Sequence, residues 1–248
     1  MAIIYGINPV CEALESGAGG IRKVIVARGR GGENLSRLLK LAEQKKIEVE
    51  FREREYLDRL TGRAAHQGVL CFIPEFSYAG VEDVIEHRLA PFRDSLVLIL
   101  DSVTDPQNLG TLIRSAHCFG VNGVIIPENR AASVNPAAVK ASAGATQRTL
   151  IARVVNIAAA IDTLKEKGFW IYGAEAEAGE DIRRVNYQGH VALVMGSEGK
   201  GLRPLVKKKC DFLISIPMGG KINSLNVSVA AGVILFDVFT KRMTSAKS

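Results

Sequence analysis

The sequence predicts an α/β protein of two domains, a small N-terminal one and a larger C-terminal one built on a parallel sheet. Three observations carry that prediction. Short apolar runs at 96–100, 191–195 and 212–216 each stop at a polar, glycine- or proline-bearing loop, as buried parallel strands do where their C-terminal ends open outward. Between the run at 96–100 and a second at 124–126 lies a helical stretch from near Pro106 to Gly120, which completes a strand–helix–strand unit of right-handed crossover type. The stretch 74–95, with two prolines and mixed charge around a short amphipathic helix, reads as the joint between domains, giving 1–73 and 96–248.

Within the first domain, Asn8-Pro9 opens a helix through Val10, Ala13 and Leu14, and 24–26 is a strand. Leu35, Leu38, Leu39 and Ala42 line one face of a helix over 35–44, and strands follow at 47–51 and 69–73. Arg22, Lys23 and Arg28 flank the first strand and a turn rich in glycine, while Arg63, His66 and Gln67 precede the last. These six are candidates for RNA contact, although solvated loop charge accounts for them equally well.

In the second domain, Asn135-Pro136 caps a helix over 137–145, strands occupy 150–154 and 169–172, and a helix over 157–167 lies between them. The final helix, 226–241, is apolar nearly all round, with a thin polar face of Ser228, Asp237 and Thr240. Such a helix is buried on several sides, in a core or against a second subunit. It is too short, and interrupted by Asp237, to cross a bilayer that needs about 20 apolar residues.

Composition narrows the function. Thirty-two Lys and Arg against 26 Asp and Glu give a net charge of +6, a balance that favours polyanionic partners. Four cysteines without CxxC spacing and four scattered histidines predict neither zinc nor a disulfide framework, so no metal is expected. The N-terminus carries no basic region followed by an apolar one, so a reducing cytoplasm is the expected compartment. GxxxxGK[ST], GxGxxG after a first strand and GxSxG are all missing, which argues against nucleoside triphosphate, dinucleotide and serine hydrolase chemistry.

What remains is a set of polar residues in three loops at strand ends: Asn108, Arg114, Glu198, Ser224 and Asn226. Each alone has a plain structural explanation. Asn108 reads as a helix cap, Arg114 as a solvated helix residue, Glu198 as a charge complementing the helix after it, and Ser224 with Asn226 as a second cap. Their recurrence at the carboxyl ends of strands, where open α/β sheets hold ligands, makes a shared site the better reading.

The segments Asp105-Pro106-Gln107-Asn108-Leu109-Gly110 with Arg114-Ser115-Ala116, Met195-Gly196-Ser197-Glu198-Gly199, and Ile216-Pro217-Met218 with Ser224-Leu225-Asn226-Val227-Ser228 resemble, in order and spacing, the three motifs of the SPOUT-class RNA ribose 2′-O-methyltransferases. The similarity is greatest to the branch acting on guanosine in bacterial 23S rRNA. It extends over the chain, since 1–73 resembles that branch's RNA-binding domain, related in fold to small ribosomal proteins.

The resemblance implies a parallel-sheet catalytic domain with a C-terminal trefoil knot, a homodimer, and S-adenosylmethionine as cofactor. Gly196, Gly199, Ile216, Met218, Leu225 and Ser228 would then bind the cofactor, with glycines allowing close approach and Ile216, Met218 and Leu225 walling the adenine. Asn108, Arg114, Glu198, Ser224 and Asn226 would form the catalytic set. In the family the arginine matching Arg114 is proposed as the base; a guanidinium is a poor proton acceptor near neutrality, so an electrostatic role fits it better. A tRNA guanosine 2′-O-methyltransferase and a catalytically silent rRNA-binding or ribosome-assembly protein are the alternatives.

Overall fold

The computed structural model describes residues 2–15, 20–89, 92–176, 180–197, 199–220 and 224–245. They fall into two compact units, residues 1–77 with 135–140, and residues 78–134 with 141–248. In the first, β1 (Ala2–Tyr5), α1 (Ile7–Glu15), β2 (Lys23–Ala27), α2 (Glu33–Gln44), β3 (Glu48–Arg52), α3 (Arg54–Thr61) and β4 (Val69–Ile73) follow in order. The sheet runs β1-β4-β2-β3, with β4 antiparallel to both neighbours and β2 parallel to β3.

The two faces of this sheet hold separate apolar clusters. Val10, Ala13 and Leu14 of α1 pack with Leu35, Leu38 and Ala42 of α2 over Val24, Val26 and Cys71. On the other face Leu57 of α3 meets Ile25, Ala27 and Leu70. Strand residues of opposite parity therefore serve opposite layers. Neither β1 nor α3 was legible in the sequence. β1 is four residues long, and α3 buries only Leu57, too little to display a helical period.

The second unit begins with α4 (Val81–Glu86), then β5 (Leu96–Leu100), α5 (Pro106–Cys118) and β6 (Gly123–Pro127); after α6 (Pro136–Ala141), whose residues up to Lys140 belong to the first unit, it continues with β7 (Leu150–Val154), α7 (Ile157–Glu166) and β8 (Phe169–Ala174). It closes with β9 (Glu180–Asp181), β10 (His190–Met195), α8 (Pro204–Lys209), β11 (Phe212–Ser215) and α9 (Val227–Ser245). The sheet order is β7-β6-β5-β10-β8-β11-β9. Every pairing is parallel. The last two long strands thus lie on either side of β8, which brings the loops after β8, β10 and β11 to one end of the sheet.

One face buries Val97, Ile99, Ile171, Ala192 and Val194 under α4, α7 and α8. Residues of the other parity, such as Leu96, Leu98, Val191 and Leu193, are equally buried. No residue of α5 or α9 belongs to that first cluster. These two helices pack together instead, Phe119 meeting the rings of Phe236 and Phe239 at centroid distances of 5.9 Å.

Two stretches singled out in the sequence take the following forms. The stretch 74–95 contributes a helix, α4, whose Val84 and Ile85 are core residues of the second unit, and Ala79 bridges Ala152 beside β7. Asn122 ties the same stretch down, donating to His87 O at 2.7 Å and accepting from Leu96 N at 2.7 Å. The helix expected over 137–145 stops at Ala141, because Ala143 and Gly144 take left-handed conformations (φ 49° and 90°) before a 3-10 turn at Ala145–Gln147.

Candidate active site

A cavity of about 390 Å³ lies beyond the carboxyl ends of β8, β10 and β11, within the size range of small-molecule sites. Gly196, Gly199, Ile216, Met218, Ser224 and Leu225 all line it. The loops after β10 and β11 therefore meet at one cavity, and the loop after β8 completes its wall. Ser228 does not line the cavity; its N–H and Oγ donate to Asn226 Oδ1, making it part of the start of α9. Glu198 lies outside the described residues.

The loop after β10 is folded back on itself. Ser197 N donates to Gly201 O at 3.1 Å and Gly201 N to Ser197 O at 3.0 Å. A Cβ on Gly196 would stand 2.2 Å from Gly201 C, so only glycine lets the two ends of the loop meet. Asp101, at the end of β5 and fully buried, fastens the far end: Arg203 N and Nε donate to its two oxygens at 2.9 and 2.6 Å. The next residue, Ser102, holds φ at 68°, a strained conformation for a side-chain-bearing residue and one that clusters at functional loops.

The catalytic candidates belong to two helix starts. Asp105, not Asn108, caps α5, accepting from Gln107 N and Asn108 N. Pro106 at the first helical position needs no partner for a missing N–H. Asn108 is thereby released from capping, and its Oδ1 accepts from Asn226 Nδ2 at 3.1 Å. Asn226 in turn leads α9, its Oδ1 accepting from Ser228 N at 2.9 Å. Arg114 sits on the exposed side of α5, whose other side buries Leu109, Leu112, Ile113 and Ala116.

The basic candidates of the N-terminal unit divide. Arg22 and Arg63 are exposed. Arg28 is exposed and pairs with Glu53 at 3.2 Å, and Lys23 pairs with Glu48 and Glu50 at 3.2 and 3.0 Å. His66 is 2% exposed. One ring nitrogen meets Asp58 at 2.8 Å and the other accepts from Gly68 N at 3.0 Å, so both are engaged internally. Gln67 accepts from Ile7 N at 3.1 Å and so ties the loop to the start of α1.

Sequence reasoning missed Glu175 and Ala176 beyond β8, Lys200 in the β10 loop and Ile234 on α9, all of which line the cavity. It also passed over Asp101. A charged residue directly after an apolar strand, as in LILD and IYGAE, was the available signal. Among the described residues no cluster of three or more His, Cys, Asp or Glu could hold a metal, and no helix is long and apolar enough to cross a membrane.

A model of the SpoU rRNA methylase family matches residues 95–236, and one of RNA 2′-O ribose methyltransferase substrate binding matches residues 3–79. Fold and site together define a SPOUT-type RNA ribose methyltransferase, with an N-terminal substrate-binding domain and a knotted C-terminal catalytic domain. A Staphylococcus saprophyticus protein named for the TrmH family of tRNA/rRNA methyltransferases is 42% identical over 97% of this chain and 96% of its own. Its Bacillus subtilis counterpart YacO is 39% identical over 96% and 95%. This chain belongs to the SpoU rRNA methylase family. The SpoU methyltransferase AviRb from Streptomyces viridochromogenes, solved with its cofactor AdoMet, shares the fold at a TM-score of 0.64 and 24% identity, over 98% of this chain and 90% of AviRb. A TrmH/SpoU tRNA modifying enzyme from A. aeolicus is 28% identical at a TM-score of 0.57, over 66% of this chain and 82% of its own.

Proposed function

We propose that this protein transfers a methyl group from S-adenosylmethionine to the ribose 2′-oxygen of a guanosine in 23S rRNA. The observation that carries the reading is the convergence of the loops after β8, β10 and β11 on one cavity, beside helix starts joined by Asn108 and Asn226. The cavity's chemistry suits the donor. Ile216, Met218 and Leu225 offer an apolar wall for an adenine, and the clash a Cβ at Gly196 would cause shows how closely the β10 loop is drawn in. When bound, the donor supplies a methyl on a positively charged sulfur.

The chain's own residues do the rest. Arg114, exposed on α5, holds a phosphate of the target strand in a bidentate grip and stabilises negative charge as it grows on the ribose oxygen. Asn108, Asn226 and Ser224 orient the ribose and carry its proton outward, the first two as a hydrogen-bonded pair. Much of the rate comes from such positioning, since the reacting groups are brought into line.

Arg22, Arg28 and Arg63 of the N-terminal unit present positive charge to RNA, in a domain of the substrate-binding type. The C-terminal chain is threaded as a trefoil knot, and the enzyme works as a cytoplasmic homodimer. Support for the dimer is the apolar stripe on α9, where Val229, Val233 and Phe236 are 52%, 40% and 55% exposed at i, i+4 and i+7.

The relatives' shared name of tRNA/rRNA methyltransferase favours a second reading, a tRNA guanosine as the target. Incubation with methyl-labelled S-adenosylmethionine and either total rRNA or total tRNA, followed by mapping of the labelled nucleotide, tests both. Label on a 23S guanosine is the expected result. Label on tRNA alone replaces the substrate, and cofactor binding without transfer to any RNA reduces the protein to an rRNA-binding one.

A further inference from the structure

We propose that Glu175 is the acceptor for the ribose diol of the methyl donor, an inference that rests on S-adenosylmethionine as the cavity's ligand. Among the described lining residues Glu175 is the sole carboxylate, in a wall otherwise made chiefly of small and apolar residues. It stands directly after β8, and its backbone is fixed where its N–H donates to Ile214 O at 2.9 Å. The side chain is 18% exposed. Oε2 pairs with Lys207 Nζ at 3.1 Å, while Oε1 faces the β10 loop, 2.9 Å from where a Cβ on Gly201 would sit. Gly201, at φ 63°, therefore leaves room for the carboxylate between strand and loop.

The donor offers this carboxylate two kinds of hydrogen-bond donor, the vicinal hydroxyls of its ribose and the ammonium of its amino acid. Lys207 decides between them. With one cation already at 3.1 Å, a second at the same carboxylate would bring two positive charges together, whereas hydroxyls add no charge. An ionised carboxylate has about four lone-pair sites, enough for Lys207 and both hydroxyls at once. Dinucleotide folds set an acidic residue against a ribose hydroxyl for the same chemical reason.

The test separates the ribose from the amino acid by using 5′-methylthioadenosine, which keeps the nucleoside and lacks the ammonium. Dissociation constants for S-adenosylmethionine and 5′-methylthioadenosine are measured by calorimetry on the full-length wild type and on Glu175→Gln. The expected result is a loss of about 10-fold or more for both ligands, as for a hydrogen bond to a charged group. A loss confined to S-adenosylmethionine assigns Glu175 to the ammonium and overturns the proposal, as does no loss for either ligand. The 2′,3′-dideoxy form of 5′-methylthioadenosine provides a second measurement that needs no variant: the wild type binds it more weakly by a similar factor, and equal binding overturns the proposal. A wild type that binds none of these compounds refutes the donor assignment itself, a pattern distinct from a wild type that binds and a variant that binds equally.

Discussion

Asn226 Nδ2 donates to Asn108 Oδ1 across 3.1 Å and 118 residues of chain, joining the first turn of α5 to the start of α9. The same Asn226 accepts from Ser228 N through its other side-chain atom, so capping and bridging fix one amide orientation. Asn108 of the first sequence motif and Asn226 and Ser228 of the third are in this way a single hydrogen-bonded unit.

Replacing Asn226 by Asp separates its two roles. The carboxylate still accepts from Ser228 N, so the cap and the melting temperature are kept, but the donor to Asn108 is lost. We expect methyl transfer to fall by about 10-fold or more with little change in stability, whereas Asn226→Ala also loses about 1 kcal/mol of capping. Thermal unfolding and single-turnover methylation on the same samples check this; a fully active Asn226→Asp enzyme would refute the bridge's role.

Arg114→Lys retains the charge and loses the planar fork. Because Arg114 is exposed on α5, the fold is expected to be undisturbed. Turnover should drop by about 10-fold or more, the scale of a lost charge-assisted hydrogen bond. Near-wild-type turnover would argue against bidentate phosphate holding.

Gly196→Ala places a methyl 2.2 Å from Gly201 C, where backbone has to move. The β10 loop is forced open and the cavity loses one wall. S-adenosylmethionine affinity should weaken by about 10-fold or more, in line with the 1–3 kcal/mol usual for overpacking. Equilibrium dialysis gives the number directly, and unaltered affinity would show that the loop's closure is irrelevant to binding.

Charge reversal at Arg22 and Arg63 tests the N-terminal unit. Both are exposed, so folding should be unaffected. RNA affinity should fall, and the slope of its logarithm against salt should flatten by about 1 for each phosphate contact removed. Cofactor affinity should not change. A steeper or unchanged salt slope would place the RNA elsewhere.

Thiol reactivity follows burial. Cys71 and Cys210 are each pushed up to about 12 by burial, and Cys11 is also raised, while Cys118 is exposed. Native protein at pH 8 should therefore take up iodoacetamide at Cys118 alone, since the thiolate is the nucleophile. The raised Cys71 thiol also ties stability to pH. Its contribution is complete below the ordinary value of 9.0 and is lost as pH rises from there toward 12, because the unfolded thiol ionises first. Denaturant midpoints at pH 7.5 and 10 should show that decline, and Cys71→Ala should reduce it.

The strands and helices that were legible are those whose burial is periodic or continuous. β5, β7 and β4 appear in the sequence at 96–100, 150–154 and 69–73, and α5 announces its ends with Pro106 and Gly120, although its cap is Asp105 and not Asn108. β1 and α3 escaped notice because each is short or buries a single residue, and short elements draw their stability from neighbours. His66 was misleading for a related reason: a polar residue in a loop looks the same in sequence whether it faces solvent or meets Asp58 inside.

By itself the sequence determined the apolar strands, the helix caps and the residue types that ring the site, since these depend on local spacing and side-chain chemistry. Only the tertiary structure decided which of those residues meet. Strand order set β10 and β11 on either side of β8, which brought Glu175 and Lys200 into the cavity, and the approach of α9 to α5 turned Asn226 into Asn108's partner. Pairings of that kind are settled by the burial of whole faces and by the closure of long loops, energies to which no single stretch of chain gives local expression.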